Sequence, residues 1–172
     1  FTQTTPMLNL SYRATDDLMA YMTFSEGYKS GGATFRIFPI FPETPLYGPE
    51  EVQSFEVGVK YEKNGYRLNM AAFAMDYDNI QVSIFTNVAP VIKNGGEGEV
   101  NGFELEAFLP LPDSLFVEAS FSYLDAEYTN IDPGATEINL NSEFAMTPET
   151  QASLSISKVF GLSGGSEIIP RI

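Results

Sequence analysis

Glu104 and Glu106 stand two residues apart. In a strand that spacing puts both carboxylates on one face, roughly 7 Å apart. Paired carboxylates are the tools of glycoside hydrolysis, one as acid and the other as nucleophile or base. The same pair facing a polar, water-filled interior is a solvated wall. Hydrolysis also needs a cleft and one carboxyl held protonated, and the sequence displays neither. Asp76, Asp78 and Asn79 suggest calcium. A Ca²⁺ loop needs further oxygen ligands in a fixed order, so a hydrated strand end is the simpler reading. Asp125, Glu127, Asp132 and Glu137 flank a long connection and read as hydrated loop. Gly27, Gly31 and Gly32 lack the following helix that a phosphate cradle requires. At the rim of a sheet such glycines permit a bend or bulge.

The rest of the composition removes other chemistry. The 172 residues contain no cysteine and no histidine, which excludes disulfides, thiolate metal sites and every Ser-His or Cys-His arrangement. The sequence therefore predicts no catalytic residue, no bound cofactor and no metal site. The formal net charge is −14, from 9 basic and 23 acidic residues. That balance argues against nucleic acid and against docking on an anionic membrane surface. No apolar run approaches the roughly 18 residues of a membrane-spanning helix. Residues 1–10 lack the charged and apolar regions of a signal peptide, and both ends read as cuts through a longer chain.

The elements that must position these side chains are strands. Phe55, Val57, Val59 and Tyr61 alternate with Ser54, Glu56, Gly58 and Lys60. Phe103 to Leu109, Leu115 to Tyr123 and Gln151 to Ser157 alternate in the same way, the period-two signature of a half-covered strand. The pattern predicts strands near 6–13, 18–28, 52–62, 66–83, 99–109, 115–128 and 148–160, with an eighth starting near 167. Several are about ten residues long, the length a tilted membrane-crossing strand needs. Connections alternate strictly: short at 14–17, 63–65, 110–114 and 161–166; long at 29–51, 85–98 and 129–147. All tight turns then lie at one end and all long loops at the other, as in outer-membrane barrels, and a soluble sandwich has no reason to keep that rhythm. Tyr12, Tyr61 and Tyr66 fall beside short turns; Tyr28, Tyr77, Tyr123 and Tyr128 fall near the long loops. They read as two interfacial girdles, or as ordinary strand tyrosines.

Five segments carry a family resemblance. Tyr21-Met22-Thr23-Phe24-Ser25-Glu26-Gly27-Tyr28-Lys29-Ser30-Gly31-Gly32 is followed by Pro49-Glu50-Glu51-Val52-Gln53-Ser54-Phe55-Glu56-Val57-Gly58-Val59-Lys60. Next come Ala72-Phe73-Ala74-Met75-Asp76-Tyr77-Asp78-Asn79-Ile80-Gln81 and Asn94-Gly95-Gly96 through Val100-Asn101-Gly102-Phe103-Glu104-Leu105-Glu106. Ser122-Tyr123-Leu124-Asp125-Ala126 and Thr147-Pro148 bracket the last long loop. In this order the segments resemble the barrel of TonB-dependent outer-membrane receptors. Departures are minor: Gly96 alters the usual alanine spacing, and Ala33-Thr34 replaces an aromatic after Gly31-Gly32.

The resemblance implies an all-β fold, an antiparallel transmembrane β-barrel segment of seven to eight strands from a larger barrel of about 22. Residues 1–172 would form part of that barrel domain, without the plug domain, the TonB box or the terminal strands. It further implies a non-enzymatic transport receptor in the bacterial outer membrane. The cargo would be a ferric siderophore foremost, or cobalamin or an oligosaccharide. The partners would be outer-membrane lipid, the ligand, and TonB acting through the plug. The segment Thr34 to Gly48 is rich in aromatic, aliphatic and proline residues. Exposed apolar loops often mark binding surfaces, so Phe35, Arg36, Phe38, Phe41 and Tyr47 are the expected ligand contacts. The alternative is that the loop packs over the barrel. The competing function is a soluble β-sandwich carbohydrate-binding module, whose apolar faces would meet each other in a core.

Overall fold

The computed structural model describes residues 2–34, 44–85, 90–135 and 138–172. Seven long strands form one antiparallel sheet: β1 (Met7–Arg13), β2 (Leu18–Lys29), β5 (Glu50–Lys63), β6 (Tyr66–Asp78), β9 (Gly96–Leu111), β10 (Leu115–Ile131) and β11 (Thr150–Lys158), neighbouring one another in that order. Short ladders fill in the connections: β3 (Gly32–Ala33) with β4 (Leu46–Tyr47), β7 (Gln81–Phe85) with β8 (Pro90–Asn94), and β12 (Phe160–Gly161) with β13 (Glu167–Ile168). Past β13, the Ile156 and Ile172 amides each bond the other's carbonyl at 3.0 Å, so the chain starts an eighth strand beside β11.

Turn chemistry fixes one end of this meander. Asn64 and Gly65, with φ of 52° and 83°, make the tight hairpin whose twist suits two antiparallel strands. Asp113 and Ser114, then Gly164 and Gly165, take positive φ in the corresponding turns. The long connections all leave from the opposite end.

Register shows what each face carries. Tyr61, Val59, Val57 and Phe55 on β5 stand beside Leu68, Met70, Ala72 and Ala74 on β6. The row continues to Ala107, Leu105 and Phe103 on β9, and to Ala119, Phe121 and Tyr123 on β10. The opposite face carries Lys60, Glu56, Asn69, Glu104, Glu106, Ser120 and Ser122. The apolar face is the open one: Met70 is 52% exposed, and Phe55, Val57, Val59 and Phe103 are exposed as well. A β-sandwich would cover these side chains with a second sheet, and among the described residues nothing does. The apolar stretch of β10, Leu115 to Tyr123, runs about 27 Å along the strand. At a tilt of about 40° that is about 21 Å of height, close to the ~25 Å apolar band of an outer-membrane barrel.

Two expectations need correction. The strand predicted over 66–83 stops at Asp78, because Asn79 takes a left-handed φ of 55° and redirects the chain into the β7–β8 hairpin. That hairpin spans the end of the predicted strand and the first part of the long connection at 85–98. The tyrosine girdles are also only partly realised. Tyr12, Tyr61 and Tyr66 lie on the apolar face near the short turns, and Tyr28 and Tyr123 lie on the same face nearer the long loops. Tyr77 pairs with Val52 and Gly98, which places it on the polar face. Tyr128, opposite Gly98, shares that face. Strand parity, not distance from the loop, decides which way a tyrosine points.

Candidate functional site

The polar face mixes hydrogen-bonding groups with a few aromatic rings, among them the stacked pair Phe108 and Phe116. Asn69 donates through Nδ2 to Glu106 Oε2 at 3.2 Å, and the Ser120 and Ser153 hydroxyls meet at 2.7 Å. Lys60 Nζ lies 5.5 Å from the Tyr21 ring centre, and the Arg67 guanidinium 4.7 Å from that of Phe108. Arg171 pairs with Glu118. Tyr21 lies over Gly58, where an added Cβ would come within 2.4 Å of the ring. Glu104 and Glu106 share this face, beside Ala71 and Ser122 and beside Asn69 and Ser120. They are wall residues, and the hydrolytic reading has no support in their surroundings.

The other acidic residues mark a boundary. On the apolar face, one rank above Phe55 and Ala74, directly paired neighbours are Glu26, Gln53, Asp76, Glu99 and Glu127. Asp78 sits beside Glu51 one rank higher. Charge in hydrocarbon is costly, so the apolar band ends below this row on β5 and β6 and one rank lower on β9 and β10, where Asn101 and Asp125 stand level with Ala74 and Phe55. Among the described residues no three Asp or Glu converge to hold a metal; Asp76 belongs to the row and Asp78 to the rank above it.

Above the row the long connections are tied together. Among the described residues the buried apolar side chains are Ile80, Ile84, Val91 and Ala135 at this end, with Val100 just below the row. Phe144 stacks on Tyr128 with centroids 4.4 Å apart, which brings the connection between β10 and β11 onto the wall. The Gln81 amide donates to Glu50 Oε2 at 2.7 Å. Its side-chain NH₂ faces the carbonyls of Gly48, Ser30 and Lys29 at 3.0, 3.1 and 3.3 Å. Asn94 Oδ1 accepts from the Gly48 amide at 2.7 Å, while its Nδ2 donates to the carbonyls of Asn79 and Gly48 at 2.8 and 3.2 Å.

Of the expected ligand contacts, Phe35, Arg36, Phe38 and Phe41 lie outside the described residues. Tyr47 is half-buried in β4, paired with Gly32, with its ring over that glycine. Gln81 and Asn94 were not anticipated as site residues, although Gln81 closes one of the segments that carried the resemblance and Asn94 opens the next.

Comparison with known proteins now decides the family. The description "TonB dependent receptor-like, beta-barrel" matches residues 1–166. The chain belongs to this family. The TonB-dependent receptor barrel is an outer-membrane structure, and the matched family and its solved neighbours are transport receptors, not enzymes. The metal-pseudopaline receptor CntO of Pseudomonas aeruginosa is 29% identical over 141 residues, which are 79% of this chain and 19% of that protein. The ferrioxamine B receptor of Salmonella typhimurium is 32% identical over 119 residues, 68% of this chain and 16% of the receptor. Among solved structures, the ferric yersiniabactin uptake receptor FyuA from Yersinia pestis superposes with a TM-score of 0.79 at 22% identity, over 96% of this chain and 24% of FyuA. The chain thus spans about a fifth of the length of the curated relatives it matches. The open seven-stranded sheet is part of a TonB-dependent receptor barrel.

Proposed function

We propose that the whole protein takes up a ferric siderophore across the outer membrane, with energy delivered by TonB through a plug domain outside residues 1–172. The observation that carries this reading is the match of the barrel family over residues 1–166. Names among the relatives favour the cargo: a metal-pseudopaline receptor, a TonB-dependent siderophore receptor and a ferrioxamine B receptor. The barrel segment supplies a lipid-facing wall, a polar lumen lining and part of the outer mouth. Within that mouth Phe35, Arg36, Phe38, Phe41 and Tyr47 are the proposed ligand contacts, because aromatic and aliphatic side chains on a loop offer apolar area to a large ligand.

The test is uptake by cells carrying or lacking the complete receptor, with and without TonB. A panel of iron-loaded hydroxamate, catecholate and mixed-ligand siderophores is run beside cobalamin and an oligosaccharide. TonB-dependent uptake of at least one iron complex is expected. Receptor-dependent uptake of cobalamin or oligosaccharide alone contradicts the siderophore assignment. Deleting 36–46 from the complete receptor is expected to weaken binding of the transported complex, and unchanged affinity contradicts the ligand loop.

A further inference from the structure

Two carboxamides hold together segments far apart in sequence. Gln81 opens β7 and reaches the carbonyls of Lys29 and Ser30 on one side and of Gly48 on the other. These are the two feet of the connection between β2 and β5. Asn94 closes β8 and pairs with Gly48 through both its oxygen and its nitrogen, as a neighbouring strand would, while also holding Asn79 at the start of the hairpin. The Ile92 amide adds a bond to Thr34 Oγ1 at 3.2 Å. The residues after Asn94 extend the tie. Gly95 bonds Ile80 and Asp132 through its backbone, and a Cβ there would meet Val82 at 2.5 Å and Ile138 at 3.2 Å. Gly96 takes φ of 144°, with its Cβ position 2.0 Å from the Asn130 carbonyl oxygen.

We infer that Gln81 and Asn94 are positioning residues that lock the base of the connection between β2 and β5 onto the β7–β8 hairpin, so that the outer mouth meets its ligand as one preformed surface. The chemistry requires carboxamides. Gln81 and Asn94 both donate to backbone carbonyls of other segments, and Asn94 also accepts from the Gly48 amide. A carboxylate of the same shape keeps the packing and loses the donors. Preformed loops spare a ligand the entropy of ordering them. The inference rests on the receptor reading only for the word ligand, since the lock itself is measurable without one.

The experiment is hydrogen exchange on the complete, ligand-free receptor, comparing wild type with the isosteric variants Gln81→Glu and Asn94→Asp. Heat-modifiable gel migration certifies that each barrel is folded. Losing two or more hydrogen bonds should speed exchange in 30–34 and 44–49 roughly tenfold, with β6 and β9 unchanged below the acidic row. Wild-type exchange in those two segments in a folded variant overturns the lock. If Gln81→Glu does not assemble, Asn94→Asp carries the same test, because it retains the acceptor oxygen and removes only donors. Failure of the uptake panel with intact protection would count against the cargo and leave the lock standing.

Discussion

Below the acidic row the protein is a single sheet with a row of exposed apolar residues on one face; above it, the same strands lead into segments that bury several of theirs. Met70 and Val59 are exposed in the wall, while Ile80, Ile84 and Val91 are buried at the loop end. We propose that the wall needs no core because lipid takes the place of one, while strand-to-strand bonding satisfies its backbone. The loop end stands in water and must assemble its own small core, helped by side chains that bond stray carbonyls. One chain thus follows two solvation rules, and the row through Glu26, Asp76, Glu99 and Glu127 is the line between them.

The largest effect that separates the two regions is expected from Met70→Arg in the wall. In lipid it should cost about 2–4 kcal/mol, read as the shift in a denaturant titration of the receptor refolded into vesicles. A change within about 0.5 kcal/mol, the norm for a water-facing surface, would put that face in water. Gly96→Ala should cost about 1–3 kcal/mol, because the new side chain cannot adopt the positive φ and would strike the Asn130 carbonyl. Its signature is faster hydrogen exchange in 79–96 with the wall strands still protected; equal loosening of wall and loops would erase the boundary. Phe144→Ala removes the stack on Tyr128, beyond-burial contacts worth about 0.5–1.5 kcal/mol. It should free the connection between β10 and β11 to limited proteolysis while leaving gel migration unchanged. The smallest effect is expected at Glu104→Gln and Glu106→Gln, which should leave transport within about twofold of wild type, since both are hydrated lumen residues. Loss of a hydrolytic activity in either variant would revive the enzyme reading.

Much of the wall was legible in the sequence because a period of two is written directly into Ser54 to Tyr61 and Leu115 to Tyr123, and Asn64-Gly65 names its own turn. The alternation of short and long connections supplied the polarity. What escaped was non-local. Asn79 can sit in a strand or turn left-handed, and only its tertiary partners choose. Gln81 bonds atoms 33 to 52 residues away, a relation no local pattern encodes. Tyr77 and Tyr128 were placed by their nearness to loops, although counting alternate residues from Ala74 and Tyr123 would have turned both inward. Tyr47 alone of the proposed ligand residues has a described position, and it lies on the element that Gln81 and Asn94 hold at its base.

We propose that alternate residues of these strands face lipid and lumen. The chain has no cysteine of its own, so single cysteines placed successively from Glu56 to Tyr61 and from Asn69 to Phe73 in the complete receptor can each carry a fluorophore. Collisional quenching by brominated lipid should follow strict alternation, strong at 57, 59, 61, 70 and 72 and weak at 56, 58, 60, 69, 71 and 73. Uniform quenching, or strong labelling of 57, 59 and 70 by a water-soluble thiol reagent in intact membranes, would contradict the account.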